Sequence, residues 1–417
     1  MTSRKRVVVT GYGAICSLGE NTNEIWSAIL EKRIGYKIHE FTDSRIKSKF
    51  FGFIPPNKNR YSRYPKGLTR RVSEFARLSL VATSEALGMA FGGESPAVVY
   101  SPFDCGVIVG TGWGGVDTLN ENNNEYKRTE FGSPHTTIQC MNNAGTATIS
   151  MHYKLRGYQS TPIAACASGN IAIGEAIQVI RRGDAACMIA GGGESMKEQF
   201  NVWSVDVLEA LSKETVDPIK ACCPFNMDRS GFVLSEGAAV LCLEEFESAV
   251  RRGAKILAEV SGYGNSTDAF DFTAPAPDAQ GRVQAIRRTL RDAGISPEQI
   301  DYVNAHGTST PLNDINESEA IKEALGPWAS KVKLSSTKSY TGHLIGAAGA
   351  IESVFCIKAI EQNIIPATIH LLKPDPRCDL DYTPNEHVTQ AKVDTCLNLS
   401  FGFGGANGAL IINRVAS

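Results

Sequence analysis

Four segments of this chain set a thiol, two imidazoles and an ammonium group among small residues. The first, Thr161-Pro-Ile-Ala-Ala-Cys166-Ala-Ser-Gly169, lies between a short strand-like run and a long apolar helical stretch. Its small neighbours let backbone crowd the sulfur and let a substrate approach. A cysteine at a helix N-terminus meets the positive end of the helix dipole and unpaired N–H groups, which favour thiolate. A pKa lowered from about 8.5 to about 6.5 would raise the thiolate fraction at pH 7 from roughly 3% to roughly 75%. The second segment, Asn304-Ala-His306-Gly-Thr308-Ser-Thr310, places a histidine just past a strand in a turn of hydroxyl residues. The third, Ser335-Ser-Thr-Lys338-Ser-Tyr-Thr-Gly342-His343, opens into a Gly/Ala-rich helix ending at Glu352. The fourth, Ser400-Phe401-Gly402-Phe403-Gly404-Gly405, is a turn whose N–H groups could face an anion. Each has a structural alternative: cysteine is commonly a small buried hydrophobe, a strand-end histidine a hydrogen-bonded residue, a loop lysine a solvated one. Together they fit covalent acyl chemistry at the strand ends of an α/β protein. No His, Cys or carboxylate grouping has metal-ligand spacing, so no metal is expected.

The elements that must position these side chains alternate along the chain. Strand-like runs fall at Arg6–Thr10, Gly106–Val109, Ala186–Ala190, Ala238–Leu243, Ile300–Asn304, Lys331–Ser335 and Ala409–Asn413. Helical stretches fall at Asn23–Lys32, Ser73–Met89, Ile171–Arg182, Gln280–Ala293 and Asn316–Ala324. That alternation predicts an α/β architecture with parallel or mixed sheets. An internal echo, Val9-Thr-Gly-Tyr-Gly13 against Val260-Ser-Gly-Tyr-Gly264, suggests two similar halves, 1–254 and 255–417. Gly110-Thr-Gly112-Trp-Gly-Gly115 matches the dinucleotide fingerprint after a strand, but the polar, asparagine-rich stretch from Asp117 to Thr129 is not the apolar helix which that fingerprint needs.

Composition excludes other classes. A net charge of −2 over 417 residues argues against bulk nucleic-acid or membrane binding. Val7–Val9 is too short for a signal peptide, and the longest uncharged stretch, Thr395 to Asn413, is interrupted by glycines and polar residues, so it reads as a buried strand pair. Eleven cysteines without disulfide spacing predict a cytoplasmic protein with reduced thiols. Between Asp43 and Glu74 there is no acidic residue, while Arg45, Lys47, Lys49, Lys58, Arg60, Arg63, Lys66, Arg70 and Arg71 accumulate. Such a run is either a solvated loop or a patch for an acidic partner.

The four motifs in order resemble those of β-ketoacyl-acyl carrier protein synthases, above all the type II elongating enzymes (synthase II) and the ketosynthase subunits of type II polyketide systems. The resemblance runs from Arg6 to Asn413. It implies the thiolase fold, two βαβαβαββ halves in a five-layered α/β/α/β/α sandwich, in a protein that is typically dimeric, either with itself or with a chain-length-factor-type subunit. It implies a decarboxylative Claisen condensation in which Cys166 carries the acyl group and His306, His343 and Lys338 complete the catalytic set. Glu352 would partner Lys338. The N–H groups of Cys166 and Phe401 would form the oxyanion hole, and Phe401 would gate the acyl pocket. Thr308 and Thr310 would bind the pantetheine arm of an acyl carrier protein, which brings the substrates without any further cofactor. Lys66, Arg70 and Arg71 would dock that carrier.

Several positions depart from the family's pattern. Trp113 stands where long-chain enzymes usually have a smaller aliphatic residue on the pocket floor, which predicts poor handling of long saturated acyl chains. Cys223, Asn226 and Ser230 replace charged residues, and Glu209 stands where a carrier-contacting arginine is common. The run Leu312-Asn-Asp314-Ile-Asn-Glu317 looks more like polyketide ketosynthases, which favours a polyketide or polyene pathway over housekeeping fatty-acid elongation. A non-catalytic chain-length-factor-type subunit would lack the cysteine. A degradative thiolase would carry a second cysteine where this chain has Phe403-Gly-Gly-Ala-Asn407.

Overall fold

The structure is a computed structural model that describes residues 4–415. Ten strands form its central sheet: β1 (Val7–Cys16), β2 (Cys105–Gly110), β3 (Gln159–Ser160), β4 (Cys187–Glu194), β5 (Gly237–Glu245), β6 (Ala258–Thr267), β7 (Tyr302–Asn304), β8 (Lys333–Ser335), β9 (Thr395–Gly402) and β10 (Ala406–Asn413). Their spatial order is β8-β7-β9-β10-β6-β1-β5-β4-β2-β3. Outward from the centre, β1-β5-β4-β2-β3 repeats as β6-β10-β9-β7-β8, with the same antiparallel and parallel pairings at each step. The halves join where β1 and β6 pair antiparallel, Val8 opposite Glu259 and Val9 opposite Ala258.

The echoed glycines have a packing reason. The helix α1 (Glu74–Phe91) lies on β1, and a Cβ at Gly11 or Gly13 would come 2.1 Å from a carbonyl oxygen of that helix, Ala86 or Ala82. In the second half, α3 (Gln280–Ala293) lies on β6, where a Cβ at Gly262 or Gly264 would stand 2.6 or 2.1 Å from the carbonyl of Thr289 or Ala285. Residues i and i+2 of a strand share a face. Gly-x-Gly therefore lets a helix backbone approach the sheet closely in both halves.

Two helices lie between the halves: α2 (Ser168–Arg182) and α5 (Ala348–Gln362). Every residue of α5 from Ala348 to Ile360 is buried, as a helix that is apolar on most sides must be. Ile173, Ile177 and Ile180 of α2 join Val354, Phe355 and Ile357 of α5 in one core. Between α3 and α5 in the chain, α4 (Pro311–Leu325) is capped by Thr310, whose hydroxyl accepts the Asn313 N–H.

Val116–Thr129 is a helix that directly follows the glycine turn, and it is polar and largely solvent-exposed, so it lacks the apolar character that the dinucleotide fingerprint needs. Two expectations need correction. Glu352 does not end its helix; it is the fifth residue of α5, which runs on for ten residues beyond it. Three of the nine clustered cations have counter-charges from outside their interval: Arg45 with Asp43, Lys49 with Glu40, and Arg60 with Glu20.

Candidate active site

Parallel register brings the first two catalytic candidates together. Asn304 of β7 pairs with Ser335 of β8, so His306 and Lys338 leave the same sheet end side by side. Lys338 opens a four-residue helix, Lys338–Thr341, which stops at Gly342 (φ +69°). The chain then turns so that the His343 N–H donates to the Val233 carbonyl at 2.7 Å. From the other half, the stub strand β3 leads into a single 3₁₀ turn, Ala165–Ala167, that sets Cys166 just ahead of α2.

The side chains converge. His343 Nε2 is 2.9 Å from Cys166 Sγ. The two imidazole rings stand 5.3 Å apart and nearly perpendicular. Lys338 Nζ lies 3.4 Å from His306 Nδ1 and forms an ion pair with Glu352 at 2.5 Å, with both partners buried. A protonated Lys338 donates to His306 Nδ1, which puts the ring proton on Nε2. Cys166, His306 and His343 offer donor atoms within 4.8 Å of one another, a metal-competent grouping in space that sequence spacing did not reveal.

Burial dominates the protonation states. It drives His306 and His343 well below the usual imidazole range, with the Lys338 ammonium adding to the effect. It pushes the Cys166 thiol up to about 12, against the pull of Lys338 and of a backbone N–H from Phe403. The expected lowering at a helix N-terminus is therefore overturned: desolvation outweighs the dipole, and the resting pair is thiol with neutral imidazole. Burial raises Glu352 against the opposing pull of Lys338.

The N–H that reaches Cys166 also corrects the oxyanion-hole assignment. It belongs to Phe403, in the turn after β9, not to Phe401. Phe401 lies within β9 opposite Asn407 and contributes its ring, 5.8 Å from that of His306. A Cβ at the intervening Gly402 would come 3.1 Å from the Cys166 nitrogen, so only glycine leaves space beside that donor.

A cavity of about 320 Å³ opens on Cys166, His306 and His343. Phe401 and Phe403 line it, as do Thr308 and Thr310, whose hydroxyls bond each other at 2.9 Å. Exposed Leu208 and Leu312, with the paired Glu209 and Lys213, also line it. Trp113 is outside that lining and packs on the apolar cluster containing Cys166, Ile345 and Phe232. Lys66, Arg70 and Arg71 are exposed, and none lines the cavity.

Two buried carboxylates escaped the sequence reading. Glu317 of α4 accepts the N–H groups of His306 and Gly307 at 2.6 and 2.7 Å. Glu194, at the end of β4, accepts from Gly112, Trp113, Gly346 and the Thr111 hydroxyl. The fingerprint-like glycine turn thus does present its N–H groups to an acidic group, the protein's own Glu194 carboxyl, which burial pushes up to about 7 against those N–H groups. A helical i, i+3 spacing was the only hint for Glu317, since Asp314 and Glu317 share a face of α4. A strand-end glutamate such as Glu194 gives no comparable hint.

Residues 4–249 match the family described as Beta-ketoacyl synthase, N-terminal domain, and residues 257–372 match Beta-ketoacyl synthase, C-terminal domain. The 3-oxoacyl-[acyl-carrier-protein] synthase 2 of Synechocystis sp. is 37% identical over 415 residues, covering 99% of this chain and 98% of the relative. A type II PKS ketosynthase, solved bound to the hexaketide and in complex with its acyl-carrier protein, superimposes with a TM-score of 0.91 at 32% identity, covering 99% of this chain and 100% of that one. The ishigamide ketosynthase/chain length factor gives a TM-score of 0.88 at 30% identity, with 99% and 100% coverage.

Proposed function

The chain belongs to the β-ketoacyl synthase family and is a condensing acyltransferase of the thiolase fold, and from that premise we propose how its residues divide the reaction. Cys166 attacks an acyl thioester on the phosphopantetheine of a carrier protein; a C–S bond forms, another breaks, and the thiol proton passes through His343 to the departing thiolate. A malonyl thioester follows. Its carboxylate C–C bond breaks to release CO2, and the electron pair moves onto the thioester oxygen, where His306 Nε2–H stabilises it together with His343, which no longer accepts from a thiol once Cys166 is acylated and takes up its Nε2–H tautomer. The enolate carbon then attacks the acyl carbonyl, the Cys166 sulfur leaves and takes up one proton, and a β-ketoacyl thioester is released. The N–H groups of Cys166 and Phe403 hold the tetrahedral oxyanion. Losing one such donor typically costs about 2.7–4 kcal/mol. Lys338, held by Glu352, fixes the tautomer of His306 and supplies positive charge.

The observation that carries this reading is the 2.9 Å contact between His343 Nε2 and Cys166 Sγ, in a cavity shared with His306. Thr308 and Thr310 are the pantetheine contacts, and Lys66, Arg70 and Arg71 the carrier-docking cations. Trp113 shortens or redirects the acyl pocket. We place the boundary between the halves after residue 254. The product belongs to a specialised polyketide or polyene pathway, a reading supported by the Leu312–Glu317 run. The name of the Synechocystis relative favours fatty-acid elongation as the second reading. The protein works as a dimer, with a second copy or with a chain-length-factor-type subunit, in the cytoplasm. All eleven cysteines are free, and among the described residues no helix is long and apolar enough to cross a membrane. No step needs a metal or further cofactor.

Intact-protein mass spectrometry after incubation with acyl-carrier thioesters tests the core of this reading. The wild-type chain gains one acyl mass, and Cys166→Ala gains none. Transfer that persists in the variant would refute the mechanism.

A further inference from the structure

Arg282 is a buried cation in the substrate cavity with almost no protein partners. It sits on α3, lines the same cavity as Cys166 and His306, and is 5% exposed. Among the described residues its single hydrogen bond runs from Nη1 to the Asn313 carbonyl at 3.3 Å, and its Nε has no partner. Its guanidinium carbon lies 4.4 Å from the centroid of the Phe401 ring, which in turn packs against His306. Asp268, Glu317 and Asp314 are its electrostatic neighbours, yet none makes a salt bridge with it. The other cations near the reaction are already matched: Lys338 by Glu352, and Lys213 at the exposed rim by Glu209. Both imidazoles are neutral. An arginine this deeply buried is normally paired, because an isolated buried charge is costly. The proposed reaction brings one buried anion into the cavity, the carboxylate of the malonyl unit, and that anion is equally costly without a cation.

We propose that Arg282 receives the carboxylate of the malonyl thioester and so selects the extender unit over neutral acyl groups at the second half-reaction. This inference rests on the condensing reading above. The guanidinium fork suits a carboxylate, and Phe401 holds it facing the cavity from one ring away from His306. When the C–C bond breaks, the negative charge moves to the thioester oxygen under the two imidazoles, and neutral CO2 departs from a guanidinium that keeps its charge. The ion pair therefore belongs to binding more than to the chemical step. Its removal raises KM for the malonyl unit and leaves kcat nearly unchanged.

The probes are malonyl-pantetheine and a neutral acyl-pantetheine thioester, which remove carrier docking from the measurement. Arg282→Gln is expected to raise KM for malonyl-pantetheine at least tenfold, with kcat for CO2 release altered less than about threefold. Acyl loading of Cys166 from the neutral thioester should not change, which also reports that the variant is folded. Arg282→Lys should recover part of the lost affinity. Equal losses in both half-reactions, or an unchanged malonyl KM, would overturn the assignment. A second test needs no variant: the wild-type protein should bind a non-hydrolysable malonyl-pantetheine amide at least tenfold more tightly than its neutral carboxamide analogue, and equal binding overturns the proposal. Should the wild-type protein load Cys166 yet release no CO2 from malonyl-pantetheine, the condensing reading fails instead.

Discussion

α2 and α5 begin and end alike. Each has fifteen residues, and each follows a three-residue 3₁₀ turn whose first residue has positive φ, +47° at Ala165 and +48° at Ile345. Each is closed by a left-handed residue, Gly183 or Asn363. Their N-terminal turns cross through facing glycines: a Cβ at Gly169 would meet the Ala350 nitrogen at 2.8 Å, and one at Gly349 would meet Asn170 Oδ1 at 2.7 Å. Counting from the turns, Cys166 corresponds to Gly346, and Ala172 corresponds to Glu352. One helix start thus carries the nucleophile, and the other carries the carboxylate that anchors Lys338. The shared backbone geometry supplies two equivalent positions; what stands on each decides its chemistry. Glu194 ties the turn before α5 to the loop after β2, accepting both the Gly346 N–H and the N–H groups of Gly112 and Trp113.

The strongest way to break this division of labour is Glu352→Ala, which makes α5 resemble α2 at that position. It strands the buried Lys338 without a counter-charge. Removing one partner of a buried ion pair typically costs about 3–5 kcal/mol. Denaturant unfolding should show a midpoint lowered accordingly, and CO2 release should fall with it because Lys338 loses the partner that holds it against His306. An unchanged midpoint would mean that the Lys338–Glu352 pair adds nothing to stability and that α5 does not need its carboxylate.

Gly346→Ala probes the other correspondence with a smaller effect. A Cβ there would come 2.5 Å from the Gly112 nitrogen and 2.7 Å from the Thr111 Cα, both backbone atoms that must shift. Overpacking of this kind costs about 1–3 kcal/mol, visible as a fall in Tm. No fall would mean that the position tolerates a side chain, and that sulfur could have been carried on either helix start.

Much of this arrangement was legible in the chain, and what was not has a physical reason. Cys166, His306, Lys338 and His343 stand in small-residue turns next to strands, and types and spacing are local information. The paired glycines of β1 and β6 were legible as an echo because each half solves the same helix-on-sheet packing problem. Glu194 and Arg282 were not. Glu194 finds its partners about 80 and 150 residues away in sequence. Arg282, on a helix with several arginines, looks like its solvated neighbours until the fold turns it toward Phe401. Phe401 and Phe403 are two residues apart in one Phe-Gly-Phe-Gly run, and only the strand end, at Gly402, decides whose N–H is free to face the sulfur. The protonation state of Cys166 was misjudged for a related reason: a helix start is visible in sequence, but the depth of its burial is not.

That last point gives the finest test of the comparison. If the helix start governed Cys166, a pKa near 6.5 would make its alkylation by iodoacetamide level off above about pH 7.5. With the thiol pushed up to about 12, the thiolate fraction is small throughout the accessible range. It then grows about tenfold for each pH unit, equivalent to about 1.4 kcal/mol. Alkylation at Cys166, followed by peptide mass spectrometry, should therefore keep rising between pH 7 and 9 without a plateau. Acyl loading should behave differently, because His343 takes the proton from the thiol during attack. A His343 pKa held well below the usual 6.5 keeps that base neutral, so loading should decline only on the acid side of pH 6.5. A plateau in alkylation near neutral pH would mean that the dipole and Lys338 prevail over desolvation at this helix start, and that the thiolate exists before substrate arrives.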